Sequence, residues 1–182
     1  MHQSNQDTTN LVVRCRKGDV RAFQELYNAY AKAMYNICLR MCNHAADAED
    51  VLQEAFTQVF KNIAQLKEEQ TLSAWVKRIV VNHCLNHLRK KKMYFEDVER
   101  VEVEEEQQID ETQHALTVAN VKSAISELPE GYRTVLNLYL FEEYSHREIA
   151  TMLGISESTA KTQFMRAKEK VRQIIKDKQV VL

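Results

Sequence analysis

Arg78, Asn82, Asn86 and Arg89 recur at spacings of four, four and three, so on a helix they share one polar face. Asparagine offers a donor and an acceptor together, the complement of a base edge, and arginine adds a positive fork suited to phosphate. Lys90 and two further lysines extend the charge beyond Arg89. A second group, Lys161, Thr162, Met165, Arg166 and Lys168, joins cations that can meet phosphate or a guanine edge to side chains that can touch a thymine methyl. A third is acid and amide in character: Asp50, Gln53 and Glu54 lie away from the apolar side of their helix.

Other candidate chemistry is weaker. His83 and His87 are four apart, as are Cys38 and Cys42, spacings that a metal site can use. Neither pair has a second pair nearby in sequence, so they read as half-buried imidazoles and buried thiols. No nucleophile with a base and no phosphate-binding glycine loop stands out. The expectation is a protein that is not an enzyme and needs no metal or cofactor.

These residues need long helices to position them. Three glycines and one proline in 182 residues leave few turn formers, which favours an all-α fold over an all-β one. A short helix is expected around Leu11 to Arg16. Asp19 is placed to cap a helix whose apolar positions run from Phe23 to Met41 at steps of three and four. A second long helix starts near Asp47 and carries Leu52, Ala55, Phe56, Val59, Phe60 and Ile63 on one side. A third runs from about Thr71 to Lys92, with Leu72, Val76, Ile79, Val80 and Cys84 toward the core.

Formal net charge is only −1, but its distribution is uneven. Six Lys/Arg and no acid lie between Lys77 and Lys92; nine acids against Arg100 alone lie between Glu96 and Glu111; seven bases against two acids lie between Ser158 and Lys178. Basic stretches flanking an acidic one are a layout that the chain average hides. Residues 93–112 show no helical stripe and read as a flexible acidic linker between two small helical domains, 1–92 and 113–182.

The second domain has its own punctuation. Pro129 ends one helix before it and is expected at the first position of the next. Ser145 and Glu148, in "SHRE", form a capping box. Gly154 stops that helix with a tight turn, and another opens at Ser156. Ala160, Phe164, Ala167 and Val171 fall on one stripe of this last helix, with Ala150 small at the crossing and Ile155 in the angle. These are the parts of a helix-turn-helix, and they leave Lys161, Thr162, Met165, Arg166 and Lys168 outward.

At this point the chain resembles bacterial RNA polymerase sigma factors of the extracytoplasmic-function group. "GDVRAFQELYNAY" resembles the opening of the first sigma domain, "DAEDVLQEAFTQVF" its polymerase-binding helix and "LSAWVKRIVVNHCLNHLRKKK" the helix that meets the promoter −10 element. "LPEGYRTVLNLYLFEEYSHREIATMLGISESTAKTQFMRAKEKV" resembles the domain that reads the −35 element.

The resemblance implies a transcription initiation factor that binds core RNA polymerase and promoter DNA. It implies polymerase contact through Asp50, Gln53 and Glu54, −10 contact through Arg78, Asn82, Asn86, Arg89 and Lys90, and −35 contact through Lys161, Thr162, Met165, Arg166 and Lys168. It also implies that the loop "LKEEQTLS" roofs a pocket for one extruded base. Glu68 and Glu69 stand there where the family commonly has glycine and aromatic residues. The acidic linker would thread a basic polymerase channel, and an anti-sigma factor is a frequent further partner. An autonomous helix-turn-helix regulator and a metal- or thiol-based redox sensor are the rival readings. Nothing in the amino-terminal half resembles a ligand or receiver domain, which counts against the first, and the second would need retained metal or a thiol-dependent activity. A polar start, "MHQSNQDTTN", four cysteines without a C-x-x-C and no long apolar run suit a cytoplasmic protein.

Overall fold

The computed structural model describes residues 2–91 and 118–180, and every element among them is helical. The acidic stretch 93–112 lies outside the described residues. The chain divides into two compact units, Met1–Lys92 and Met93–Leu182.

The first unit holds α1 (His2–Arg16), α2 (Val20–Cys42), α3 (Ala45–Asn62) and α4 (Leu72–Lys90). Helix α1 starts nine residues before the expected Leu11, because a polar amino-terminal half gives no apolar stripe to detect. Gly18, at φ 78°, turns the chain into α2. Asp19 caps α2 by accepting from the backbone N–H groups of Arg21 and Ala22, which lack partners within the helix. The same carboxylate accepts from Arg14, whose guanidinium also grips Glu25 at 2.9 and 3.0 Å. One arginine thereby ties α1 to the start of α2.

Helices α2, α3 and α4 pack on one another around fully buried Leu26, Met41, Val51, Phe56, Leu72, Leu85 and Leu88. Tyr27 meets Phe56 edge-on at 4.8 Å between centroids. Truncating a buried phenylalanine such as Phe56 to alanine costs about 3–5 kcal/mol. Two single 3₁₀ turns, Ile63–Gln65 and Glu69–Thr71, connect α3 to α4.

The second unit holds α5 (Val118–Ser126), α6 (Glu130–Leu140), α7 (His146–Leu153) and α8 (Glu157–Val180). Pro129 caps α6 in an extended conformation, φ −50° and ψ 145°, one position earlier than expected; its fixed φ and missing N–H suit either place. The Ser145–Glu148 capping box forms, and Gly154 closes α7 at φ 70°. Ser156 Oγ accepts from the Thr159 N–H at 3.0 Å to start α8. Helix α8 packs against α5, α6 and α7, and Ile125, Leu128, Leu136 and Ala167 are buried together with Val121, Tyr132, Val171 and Ile174 against them. The core is partly polar: Arg133 is 7% exposed and donates to the Leu128 carbonyl at 2.7 Å.

Candidate nucleic-acid and polymerase interfaces

Burying Leu72, Val76, Val80, Cys84 and Leu88 fixes which side of α4 remains outside. Arg78, Asn82, Asn86, Arg89 and Lys90 are all exposed on it. Arg89 donates to Asn86 Oδ1 at 3.0 Å, so two of the stripe's members are ordered relative to each other before any ligand arrives. Lys91 turns elsewhere. Its ammonium donates to Asp47 of α3, and together with the charges of His87 and His44 it holds that carboxyl below the usual aspartate range.

On α3, burial of Ala48, Val51, Leu52, Ala55, Phe56 and Val59 leaves Asp50, Gln53 and Glu54 exposed. The paired histidines of α4 face this helix: His83 Nδ1 lies 3.7 Å from Glu54, and His87 Nε2 lies 3.7 Å from Asp47. The acid face and the asparagine face therefore belong to neighbouring helices bridged by imidazole and carboxylate. Spacing along a single helix could not show this, because the partners are 29 and 40 residues apart.

The cysteines are elsewhere, in the core. All four are free and buried. Cys84 Sγ lies 3.8 Å from Cys38 Sγ, and contact with Cys38 and Cys42, with burial, raises the Cys84 pKa well above the ordinary thiol value. A protonated, enclosed thiol is a packing group.

In the second unit, Ala160, Phe164 and Ala167 are buried and Val171 is half-buried, as the stripe predicts. The opposite face is more sheltered than expected. Lys161 is exposed, whereas Thr162, Met165, Arg166 and Lys168 are half-buried. Thr162 Oγ1 donates back to the Ser158 carbonyl at 2.9 Å, and the Lys168 ammonium lies 5.7 Å from the centre of the Phe164 ring, within cation–π range. Gln163, between them, turns inward and is 1% exposed.

Two features of this face escaped the sequence reading. Glu157, in the first turn of α8, accepts from Lys161 at 2.8 Å, and that ammonium holds the Glu157 carboxyl below its ordinary range. His146, at the start of α7, stacks on Tyr139 with centroids 4.4 Å apart and an interplanar angle of 11°, and meets Phe164 at 5.4 Å. Burial, then the nearby Lys161 charge, lowers its pKa. The signal for Glu157 was present in the i, i+4 spacing to Lys161; the aromatic stack had none, since its members come from three helices.

Residues 26–93 match the family model for sigma-70 region 2, and residues 119–171 match that for sigma-70 region 4. The chain is 32% identical over 178 residues to the ECF RNA polymerase sigma factor SigW of Bacillus subtilis (strain 168), with 91% of this chain and 95% of the relative covered. It is 30% identical over 177 residues to the RNA polymerase sigma-H factor of Pseudomonas aeruginosa, with 88% and 90% covered. Among solved structures it resembles CnrH in complex with the cytosolic domain of CnrY, at TM-score 0.53 and 22% identity over 92% of this chain and 96% of the other. It also resembles the sigma factor RpoE in complex with the anti-sigma factor NepR from Bartonella quintana, at TM-score 0.55 and 18% identity over 86% and 98%. At those identities the likeness is one of fold.

Proposed function

Because the chain belongs to the extracytoplasmic-function group of sigma-70 factors, and so binds core RNA polymerase and directs it to promoters, we propose that its first two faces divide this work between α3 and α4. Catalysis belongs to the polymerase. Asp50, Gln53 and Glu54 grip a basic surface of the core enzyme by charge complementarity. Arg78, Asn82, Asn86, Arg89 and Lys90 take the opened −10 strand, the asparagines at base edges and the cations at phosphates. The loop "LKEEQTLS" roofs the extruded base. Lys161, Thr162, Met165, Arg166 and Lys168 read the −35 element in the major groove.

The observation that carries this reading is the exposure of the whole Arg78–Lys90 stripe on a helix whose other side is fully packed. Asparagine is a poor interior helix former, so two on an exposed face contribute little to folding and are explained by what they contact.

Domain roles follow: 1–92 for core binding and −10 opening, 113–182 for −35 recognition, and 93–112 as an acidic occupant of a basic polymerase channel. An anti-sigma factor is the expected regulatory partner, as the sigma factor RpoE, whose fold this chain resembles, is held in complex with the anti-sigma factor NepR. The compartment is the cytoplasm, where four free thiols stay reduced; no described helix is long and apolar enough to cross a membrane.

Run-off transcription with purified core polymerase on a promoter library tests the assignment. Wild type should select a −10/−35 pair. Asp50→Lys with Glu54→Lys should abolish co-elution with core at unchanged helical content, and Asn82→Ala or Asn86→Ala should reduce opening at unchanged thermal stability. Normal co-elution of the double variant removes α3 from the interface. A loss of stability with normal opening returns the asparagines to a structural role.

A further inference from the structure

The connection between α3 and α4 is gripped from outside itself. Arg16, the last residue of α1, donates from Nη1 to Glu69 Oε1 at 2.7 Å and from Nη2 to the backbone carbonyl of Leu66. Its partners are 53 and 50 residues away in sequence, and α1 lies outside the segment 26–93 that matches the region 2 family. Apolar anchors fix the ends of the connection: Ile63 is 4% exposed, Leu66 3% and Leu72 0%. Between the last two, Arg16 supplies the long-range polar grip that the structure shows.

The orientation of Glu69 follows from this. Its carboxyl is held below the usual glutamate range, first by its own backbone N–H and then by Arg16. The side chains of Arg16 and Glu69 are 29% and 27% exposed, so the pair is partly shielded. Glu69 is turned into the fold, whereas Lys67, Glu68, Gln70 and Thr71 remain exposed. Of the two acids that depart from the family's usual loop, one is a brace and only Glu68 faces outward.

Lysine could not do the same work. The two acceptors are a carbonyl before the turn and a carboxylate within it, and holding both at once needs the planar, forked guanidinium. An ion pair this close to solvent adds little to global stability. Its effect falls on the shape of the four residues from Leu66 to Glu69 that it spans.

We propose that Arg16 is a positioning residue for −10 recognition, holding the 66–71 turn in the conformation in which Lys67, Glu68 and Gln70 meet the extruded base. The proposal rests on the reading of that loop as the roof over the base, so its test includes a control on the loop itself.

The experiment uses full-length protein with core polymerase and promoters in which each −10 position is varied singly, reading the opened fraction by permanganate reactivity. Arg16→Gln and Glu69→Gln should each reduce discrimination at the extruded base by about three- to tenfold, within the range for coupled neighbours. Core affinity, unfolding temperature and −35 preference should stay at wild-type values. Arg16→Lys, which can satisfy one acceptor at a time, should fall between wild type and Arg16→Gln. The loop control replaces Lys67, Glu68 and Gln70 by alanine. If this control alters base discrimination while Arg16→Gln does not, Arg16 has no positioning role and the roof reading stands. If the control leaves discrimination intact, the roof reading fails and takes the proposal with it. A uniform loss on all promoters together with a lower unfolding temperature for Arg16→Gln also overturns the proposal, since that is the signature of a general brace.

Discussion

Lys91, one residue beyond α4, donates its ammonium to the carboxylate of Asp47 in the first turn of α3, and His87 Nε2 lies 3.7 Å from the other oxygen of the same group. The acid sits at a helix amino terminus and the lysine just past a helix carboxyl terminus, so both macrodipoles favour the arrangement as well as the direct pairing. It locks the far ends of the two proposed contact helices together.

Removing that lock gives a pH signature. The folded pKa of Asp47 lies below its ordinary value of 3.8, so its contribution is complete above that value and disappears as pH falls through the folded pKa. Asp47→Asn should lower the unfolding temperature at neutral pH. The wild-type and variant temperatures should converge only below about pH 4, as followed by circular dichroism from pH 7 to 3. A constant gap across that range would show that the carboxylate charge does not matter.

His146 has the opposite chemistry. Burial lowers its pKa from 6.5, so the fold prefers the neutral ring, and Lys161 on one side outweighs Glu157 on the other. The stabilisation is complete above the unfolded value and is lost as pH falls below about 6.5. The second unit of the wild-type chain should therefore soften between pH 7 and 5, and His146→Gln should flatten that dependence while lowering the neutral-pH plateau through loss of the Tyr139 stack. Thermal melts of the full chain at three pH values decide it.

On the face proposed to read the −35 element, Glu157 would act as a brake. It neutralises Lys161 and repels phosphate from the start of α8. Glu157→Gln should tighten promoter binding by the polymerase holoenzyme on matched and mismatched −35 sequences alike, and steepen the salt dependence by up to about one counterion. A gain restricted to one −35 base would instead make the carboxylate a reader of that base.

Ser145 controls the entry to α7. Its hydroxyl accepts from the Glu148 N–H at 3.3 Å, while the Glu148 carboxylate accepts from the Ser145 N–H at 2.9 Å. Ser145→Ala should cost about 1 kcal/mol, and Ser145→Asp much less, because aspartate also caps well. Chemical denaturation of the full chain measures both.

What could be foreseen from the chain was whatever repeats locally. Asp19, the Ser145–Glu148 pair and the Ala160–Phe164–Ala167 stripe announce themselves within one or two helical turns, since caps and periodicity are short-range. The start of α1 gave no such sign, because residues 2–10 are mostly polar and their helical state cannot be read from an apolar face. Arg16 with Glu69, and Asp47 with Lys91, join residues whose proximity exists only after α1, α3 and α4 have packed. Polar residues that bury themselves, such as Arg133 and Gln163, run against the pattern that locates a core.

Helix α8 separates two kinds of constraint by angle around a single axis. Ala160, Phe164 and Ala167 are committed to the interior, while Lys161, Thr162, Met165 and Arg166 occupy the face assigned to DNA. On the proposed reading, drift at the outward positions changes the promoters selected while the interior stripe stays in place. Lys168 links the two faces directly: its ammonium lies over the ring of Phe164, which in turn packs against Tyr139, so a change of target made through Lys168 is felt inside the domain.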